Sequence, residues 1–188
     1  MRFSIIIPAY NSAKYIRAAL DSIKEQTFTD YELIVVCDSC TDNTKEIAEQ
    51  YADKVYEVDF HQDGFTRNVG IDHAEGEYLL FMDDDDWWLN ERVLERLDNV
   101  VDDYDLIRFG FYWQSRGYRS PGDYFAVWNK CWKREFVGDA RFSDVKNTSD
   151  VDFHNACMQK HPTVKDIDEC FYYYNFMREG SQTWERGF

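Results

Sequence analysis

Two hydrophobic periods alternate along the first 112 residues, and this alternation constrains the fold more than any other feature of the chain. Runs of strand length occur at Arg2 to Ile7, Tyr31 to Val36, Lys54 to Val58, Glu77 to Met82 and Asp105 to Tyr112. Ile5-Ile6-Ile7 and Tyr78-Leu79-Leu80-Phe81 are apolar at every position, so both faces of those strands must be covered. Helical spacing fills the gaps. Tyr15, Ile16, Ala19, Leu20 and Ile23 share one face of a helix whose cap is expected at Asn11 or Ser12. Thr41 or Asp42 opens a second helix to about Tyr51, with Ile47, Ala48 and Tyr51 inward. Gly64 to Ala74 forms a short third helix. Asn90 caps a fourth, with Val93, Leu94, Leu97, Val100 and Val101 inward. This order predicts an α/β fold with a parallel sheet covered by helices on both faces. Beyond residue 112 the pattern is less regular. Phe125 to Trp128 and Cys170 to Asn175 are expected to be extended, Asp150 to Met158 helical, and Ser115 to Asp123 a mobile loop.

The 188 residues suit a single domain. Lys and Arg number 21 against 36 Asp and Glu, a net charge of −15. That charge repels a phosphate backbone, so nucleic acid is not an expected partner. It also disfavours adsorption to anionic lipid through a basic face. A phosphate-bearing ligand held through a divalent cation stays compatible with it. No run approaches the roughly 18 apolar residues of a membrane span, and no leader pattern is present, so a cytoplasmic location is expected. The five cysteines at 37, 40, 131, 157 and 170 are odd in number and unevenly spaced, and free thiols are expected.

Asp83-Asp84-Asp85-Asp86 follows the fourth strand, and ligands of open α/β sheets bind beyond the carboxyl ends of strands. Adjacent carboxylates repel, and hard oxygen donors of this kind suit Mg²⁺, Mn²⁺ or Ca²⁺. A solvated acidic tip is the plain alternative, but the run lies between an apolar strand and Trp87-Trp88. Cys37-Asp38-Ser39-Cys40 lies between a strand and a helix, where a thioredoxin-like redox pair would sit. The alternative is two small residues shaping a tight exit from the strand. Asp38 is placed to accept a hydrogen bond from a nucleobase ring N–H, or to serve as a turn or capping residue.

These segments together resemble a family. Ser4-Ile5-Ile6-Ile7-Pro8-Ala9-Tyr10-Asn11 with Gln26-Thr27-Phe28 resembles the opening of the family 2 inverting glycosyltransferases. Val36 to Thr44 is similar to that family's V-D-D-G-S-T-D-x-T, with Cys37 in place of the first Asp. Gly64 with Thr66 to Gly70 is similar to its G-x-x-x-A-R-N-x-G, and Ala74 to Tyr78 to its A-x-G-E-Y. Phe81 to Asp86 is similar to its F-L-D-x-D-D. Val127 to Lys130 resembles V-W-N-K, and Ser149 to Phe153 resembles E-D-x-x-F with Ser in place of Glu.

The resemblance implies a GT-A fold, a three-layer sandwich whose mostly parallel sheet binds a nucleotide sugar, with a small acceptor-side C-terminal part. Residues 1–112 would form the nucleotide-sugar half and 113–188 the acceptor-side half. Pro8, Ala9, Tyr10, Asp38 and Arg67 would border the nucleoside and diphosphate. Asp85 would be the main ligand of a Mn²⁺ or Mg²⁺ ion, with Asp83 and Asp84 toward ribose and metal. Asp150 matches the family's catalytic base, with Asp152 a nearby rival. Arg178 and Ser181 resemble a late segment near the active site. Trp87, Trp88, Trp128 and Trp132 are candidates to face a sugar, most of them expected in the core. The four histidines are read as structural.

The implied activity is metal-dependent, inverting transfer from a nucleotide donor, a UDP-sugar, to a carbohydrate or lipid-linked acceptor. Peripheral membrane association and oligomeric state are left open. A non-catalytic nucleotide-sugar-binding module and a Cys-x-x-Cys redox protein are the competing readings. The redox reading requires a low-pKa thiol at Cys37.

Overall fold

The computed structural model describes residues 1–122, 125–145 and 148–175. Four parallel strands come first: β1 (Phe3–Ala9), β2 (Tyr31–Asp38), β3 (Lys54–Val58) and β4 (Tyr78–Phe81). Helices α1 (Ile16–Lys24), α2 (Thr44–Ala48) and α3 (Asp63–His73) connect them. β5 (Trp87–Trp88), α4 (Val93–Asp98) and β6 (Leu106–Trp113) follow. Then come β7 (Gly117–Arg119), β8 (Lys130–Lys133), α5 (Arg134–Val137), α6 (Ser149–Met158) and β9 (Val164–Tyr174). Among the described residues these strands form one sheet in the order β3-β2-β1-β4-β8-β6-β9-β5, with β7 paired to β6.

The pleat of β1 explains the layers. Alternate residues of a strand point to opposite faces. Ile5 and Ile7 face a core closed by Ile16, Leu20 and Ile23 of α1 and Val93, Leu94 and Leu97 of α4. Ile6 faces the other core, closed by Ile71 of α3, Val137 of α5 and Phe153 and Cys157 of α6. The chain is thus the three-layer α/β sandwich expected.

Four local expectations are corrected. The fifth run does not join the parallel block directly, because β8 inserts antiparallel between β4 and β6. β8 and β9 thus lie in the same sheet as the strands of the first half. Phe125 to Trp128 is irregular, and extension begins only at Lys130. The Lys130 ammonium donates to the Ala126 carbonyl, and Asn129 Nδ2 donates to the Pro121 carbonyl (3.1 Å), which bends the chain there. Neither Asn11 nor Ser12 caps α1. Asn11 Oδ1 instead accepts from the Thr41 N–H (2.7 Å), tying the loop after β1 to the loop after β2. Ser115 to Asp123 contains β7, which pairs antiparallel with β6, and Asp123 lies outside the described residues.

Gly76 fixes the start of β4 on β1. A Cβ there would lie 2.5 Å from the Ser4 nitrogen and 2.6 Å from the Phe3 carbonyl carbon, both backbone. The Gly76 N–H donates to Ser4 Oγ, and that hydroxyl donates to Glu32, which pairs with Lys54. Gly76→Ala must displace β1 or β4, an overpacking cost of about 3 kcal/mol. Thermal unfolding is expected to show a correspondingly lowered Tm, and an unchanged Tm would contradict this packing.

Candidate active site

The carboxyl ends of β1, β2 and β4 lie side by side, and three of the four aspartate side chains after β4 go to different partners. Asp83 Oδ1 accepts from the Arg67 guanidinium (2.7 Å). Asp84, buried, accepts from the Tyr10 N–H at the end of β1 (3.0 Å). Asp86 is fully buried and accepts from the Tyr172 hydroxyl (2.6 Å) and the Asn175 N–H (2.8 Å). The Tyr172 oxygen in turn accepts from the Asp83 N–H (3.1 Å), and Asn175 Nδ2 donates to the Asp85 carbonyl (3.2 Å). Burial and the neighbouring Asp85 and Asp83 charges hold the Asp86 carboxyl well above the usual carboxylate range. The run is therefore a held turn, not a solvated tip. Sequence reasoning missed Asp86, Tyr172 and Asn175, because these partners stand 86 to 90 positions apart.

Arg67 is the centre of the site. It projects from α3 and is 5% exposed, so its charge needs partners. Its Nη2 donates to Asp83 (2.7 Å), its Nη1 reaches Asp150 (3.4 Å), and its guanidinium lies 5.6 Å from the Phe142 ring centroid. Burial pushes the Asp83 carboxyl up to about 6, with Asp85 and Asp150 adding to the shift and Arg67 opposing it. One guanidinium thus ties the aspartate turn to α6. Gly64 permits this approach: a Cβ on it would meet the Ser143 carbonyl at 2.9 Å and Ser149 Cβ at 3.1 Å.

Asp150 and Asp152 separate clearly. Asp150, on the first turn of α6, faces Arg67. Asp152 faces away from that group and accepts from the Ser143 hydroxyl (2.6 Å).

Asp38 ends β2 and is buried. Its oxygens accept from Phe60 N (2.8 Å), His61 N (3.0 Å), Gln62 N (2.9 Å) and Thr66 Oγ1 (2.9 Å). With the Ser39 hydroxyl also 2.9 Å from Oδ1, these donors fill the lone pairs of the carboxylate. These bonds outweigh the opposing effect of burial and hold its pKa below the usual value. Asp38 therefore holds the turn of residues 60–62 that leads into α3, and a nucleobase N–H would have to displace or share one of these bonds. Pro8 and Ala9 form the buried end of β1, and Tyr10 is exposed beside them. Cys37 is corrected as a redox nucleophile: the neighbouring Cys40 and its own burial push the thiol upward, opposite to the requirement.

Trp88, Trp128 and Trp132 are buried in the cores, as expected for most of the tryptophans. Trp87 is partly exposed and stacks on Tyr173 (4.3 Å, 11°), which stacks on the exposed Tyr112 (5.6 Å, 18°). Arg178 and Ser181 lie outside the described residues.

Two buried bases beside the site were read as plain motif or structural residues. Burial, reinforced by Arg108, lowers Lys130 to about 7, and its ammonium is hydrogen-bonded to Asn129 Oδ1 (2.7 Å). His154, 8% exposed with Nδ1 unpartnered, is lowered to about 4 by burial and by Lys130 and Arg108. The unfolded chain binds the His154 proton below about pH 6.5 and the folded one only below about 4. Stability should therefore fall by about 2–3 kcal/mol as pH drops through that window. His154→Leu should lose less stability than the wild type over the same window in denaturant titrations. Equal losses would contradict this.

Among the described residues no three His, Cys, Asp or Glu side chains converge into a cage for a metal ion. Asp83 and Asp85 nonetheless offer hard oxygen donors, and Asp85 contributes to raising Asp83. A Mg²⁺ or Mn²⁺ held by one or two carboxylates completes its shell from water and substrate phosphates. The donor set fits an ion that arrives with a diphosphate.

The sandwich, with acidic groups and a buried arginine at its strand ends, is the GT-A-type fold of the solved structures it superposes on. The match to the sequence model of "Glycosyl transferase family 2" covers residues 4–163, and the chain belongs to that family. It is 39% identical over 112 residues to the poly(ribitol-phosphate) beta-N-acetylglucosaminyltransferase TarS of Staphylococcus aureus, covering 55% of this chain and 19% of that protein. It is 30% identical over 207 residues to the glycosyltransferase EpsJ of Bacillus subtilis, covering 91% of this chain and 60% of EpsJ. The crystal structure of S. aureus TarS 1-349 in complex with UDP-GlcNAc superposes with a TM-score of 0.86 at 27% identity, over 98% of this chain and 61% of that one. The chain thus spans less than two thirds of the length of each of these proteins. No helix among the described residues is long and apolar enough to cross a membrane.

Proposed function

We propose that this chain catalyses inverting transfer of a sugar from a uridine diphosphate donor to a hydroxyl of a carbohydrate or lipid-linked acceptor. The observation that carries the reading is the shared guanidinium of Arg67. It sets a metal-competent aspartate turn and a helix-borne carboxylate a few ångströms apart.

Pro8, Ala9, Tyr10 and Asp38 line the nucleoside side, and Asp84 sits toward the ribose. Asp85, with Asp83, would hold a Mn²⁺ or Mg²⁺. That ion, when bound, stabilises the charge developing on the departing diphosphate. Asp150 accepts the proton of the acceptor hydroxyl. The acceptor oxygen bonds to the anomeric carbon from the face opposite the diphosphate, and the bond from that carbon to the diphosphate oxygen breaks. One displacement inverts the centre and needs no enzyme nucleophile. Arg67 orients both carboxylates from behind. The 113–188 stretch supplies the acceptor side, where Tyr173 stacks between Trp87 and Tyr112 of the first half and the three offer flat rings. Cytoplasmic activity at a membrane surface suits a lipid-linked acceptor.

The S. aureus TarS complex with UDP-GlcNAc supports the choice of donor class. Incubation with UDP-GlcNAc and Mn²⁺, followed by quantifying released UDP, tests the reading. The expected result is release that stops with EDTA. Nucleotide binding without release from any of a panel of nucleotide sugars would favour a non-catalytic binding module instead.

A further inference from the structure

The family pattern does not account for Cys37 and Cys40, and the structure places both beside Ala9 at the ends of β1 and β2. The two thiols perturb one another, Cys37 upward and Cys40 downward. Cys37 is buried and Cys40 partly exposed. Cys40 Sγ also donates to the Ala9 carbonyl (3.4 Å), the residue paired with Cys37 across β1 and β2. Ser39 between them has φ of 54°, so the turn is already tight and held in the left-handed region. The residues of this turn support the neighbouring loop. Asp38 accepts three N–H groups of residues 60–62, and Ser39 Oγ lies 2.7 Å from Asp59 Oδ1.

We propose that Cys37 and Cys40 form a reversible disulfide in thiol–disulfide exchange with a small-molecule disulfide, and that this bond weakens nucleotide binding by reshaping the 37–40 turn. The second half rests on the reading of the site as nucleotide-binding.

The accessible Cys40 is the entering sulfur, and its contacts favour the thiolate: Cys37 lowers its pKa first, and the Asn11 N–H adds to that against the effect of burial. With glutathione disulfide, the Cys40 thiolate forms a bond to one glutathione sulfur, and the glutathione S–S bond breaks, releasing one glutathione thiolate. Cys37 then bonds to the Cys40 sulfur and the mixed disulfide breaks, releasing the second. The protons of Cys37 and Cys40 end on the two glutathione thiols. Two protein thiols are oxidised and one disulfide is reduced. The new bond removes the donor to the Ala9 carbonyl next to Tyr10. It also pulls on Asp38, whose bonds set the entry to α3 and so the position of Arg67.

The test compares full-length protein kept in reduced glutathione with protein equilibrated in glutathione disulfide. Intact mass and thiol alkylation read the bond, and calorimetry with UDP and Mn²⁺ reads its effect. The expected result is a loss of two hydrogens, protection of Cys37 and Cys40 from alkylation, and about tenfold weaker UDP binding, all restored by dithiothreitol. Cys40→Ser, which keeps a donor for Ala9, should bind UDP as the reduced protein does under both conditions, and Cys37→Ala should stop at the glutathione adduct. Failure to form the internal disulfide, or equal UDP affinity in both states, overturns the proposal. Absence of UDP binding in the reduced protein overturns the nucleotide-site reading instead, while the mass measurement still decides whether the disulfide forms.

Discussion

Asp150→Asn should reduce sugar transfer by about 10²–10⁴-fold while leaving the affinity for UDP unchanged. The substitution keeps the shape of the side chain and removes its capacity to take a proton. General-base assistance is worth about that range. Asp150 holds one arm of Arg67, but the shorter contact of that guanidinium is to Asp83, at 2.7 Å against 3.4 Å. The turn that receives the diphosphate therefore keeps its anchor in the variant. Asp152→Asn is the control. Asp152 is engaged by Ser143, on the far side of the helix turn from Arg67, and its loss should leave transfer within a few-fold of wild type. Initial rates under saturating donor separate the two variants. Comparable losses in both would remove Asp150 from the role of base.

The second large effect is expected at Arg67. Arg67→Ala leaves Asp83 and Asp150 facing each other with Asp85 close by and no buried cation among them. Breaking a buried ion pair from one side costs about 3–5 kcal/mol. Asp83 and Asp150 keep roughly a quarter of their side-chain exposure, which lets water screen part of the repulsion. The expected loss is therefore about 2–3 kcal/mol, at the low side of that range. UDP binding should weaken as well, because the aspartate turn loses its anchor to α3. Arg67→Lys should recover part of the stability but little activity, since a single ammonium cannot span two carboxylates as the planar fork does. Denaturant unfolding and activity on the two variants check this. An Arg67→Ala protein as stable as wild type would mean that the guanidinium does not hold the site together.

Much of the sheet was legible because β1, β2 and β4 are buried on both faces and write that burial as unbroken apolar runs. Even the polar-flanked β3 falls on its expected limits, Lys54–Val58. β8 was not legible. Its first residue is a lysine that is fully buried, and a charge reads as surface unless its partners are visible. Those partners, the Ala126 carbonyl and Asn129, are created by the bend before the strand. The same limit applies to the helix caps. Asn11 has the chemistry of a cap, yet its oxygen is taken by Thr41 of another loop.

At the site, residue types and order were readable and pairings were not. The aspartate run signalled an anionic turn, but nothing local distributes Asp83 to Arg67, Asp84 to Tyr10 and Asp86 to Tyr172. Tyr172 lies in a strand that reads as ordinary core. The choice between Asp150 and Asp152 depends on helix phase, since a two-residue step turns a side chain by about 200° around α6. At Asp38 the N–H groups of residues 60–62 fill a carboxylate that an isolated motif leaves open.

The central claim is that the turn after β4 is a metal-assisted diphosphate site. Calorimetric titration of the wild type and Asp85→Ala with UDP, each with and without Mn²⁺, tests it most directly. The account predicts binding to the wild type that strengthens at least about tenfold with Mn²⁺, and loss of that gain in Asp85→Ala. Mn²⁺-enhanced binding that survives intact in Asp85→Ala, or no binding of UDP to the wild type with Mn²⁺ present, would contradict it.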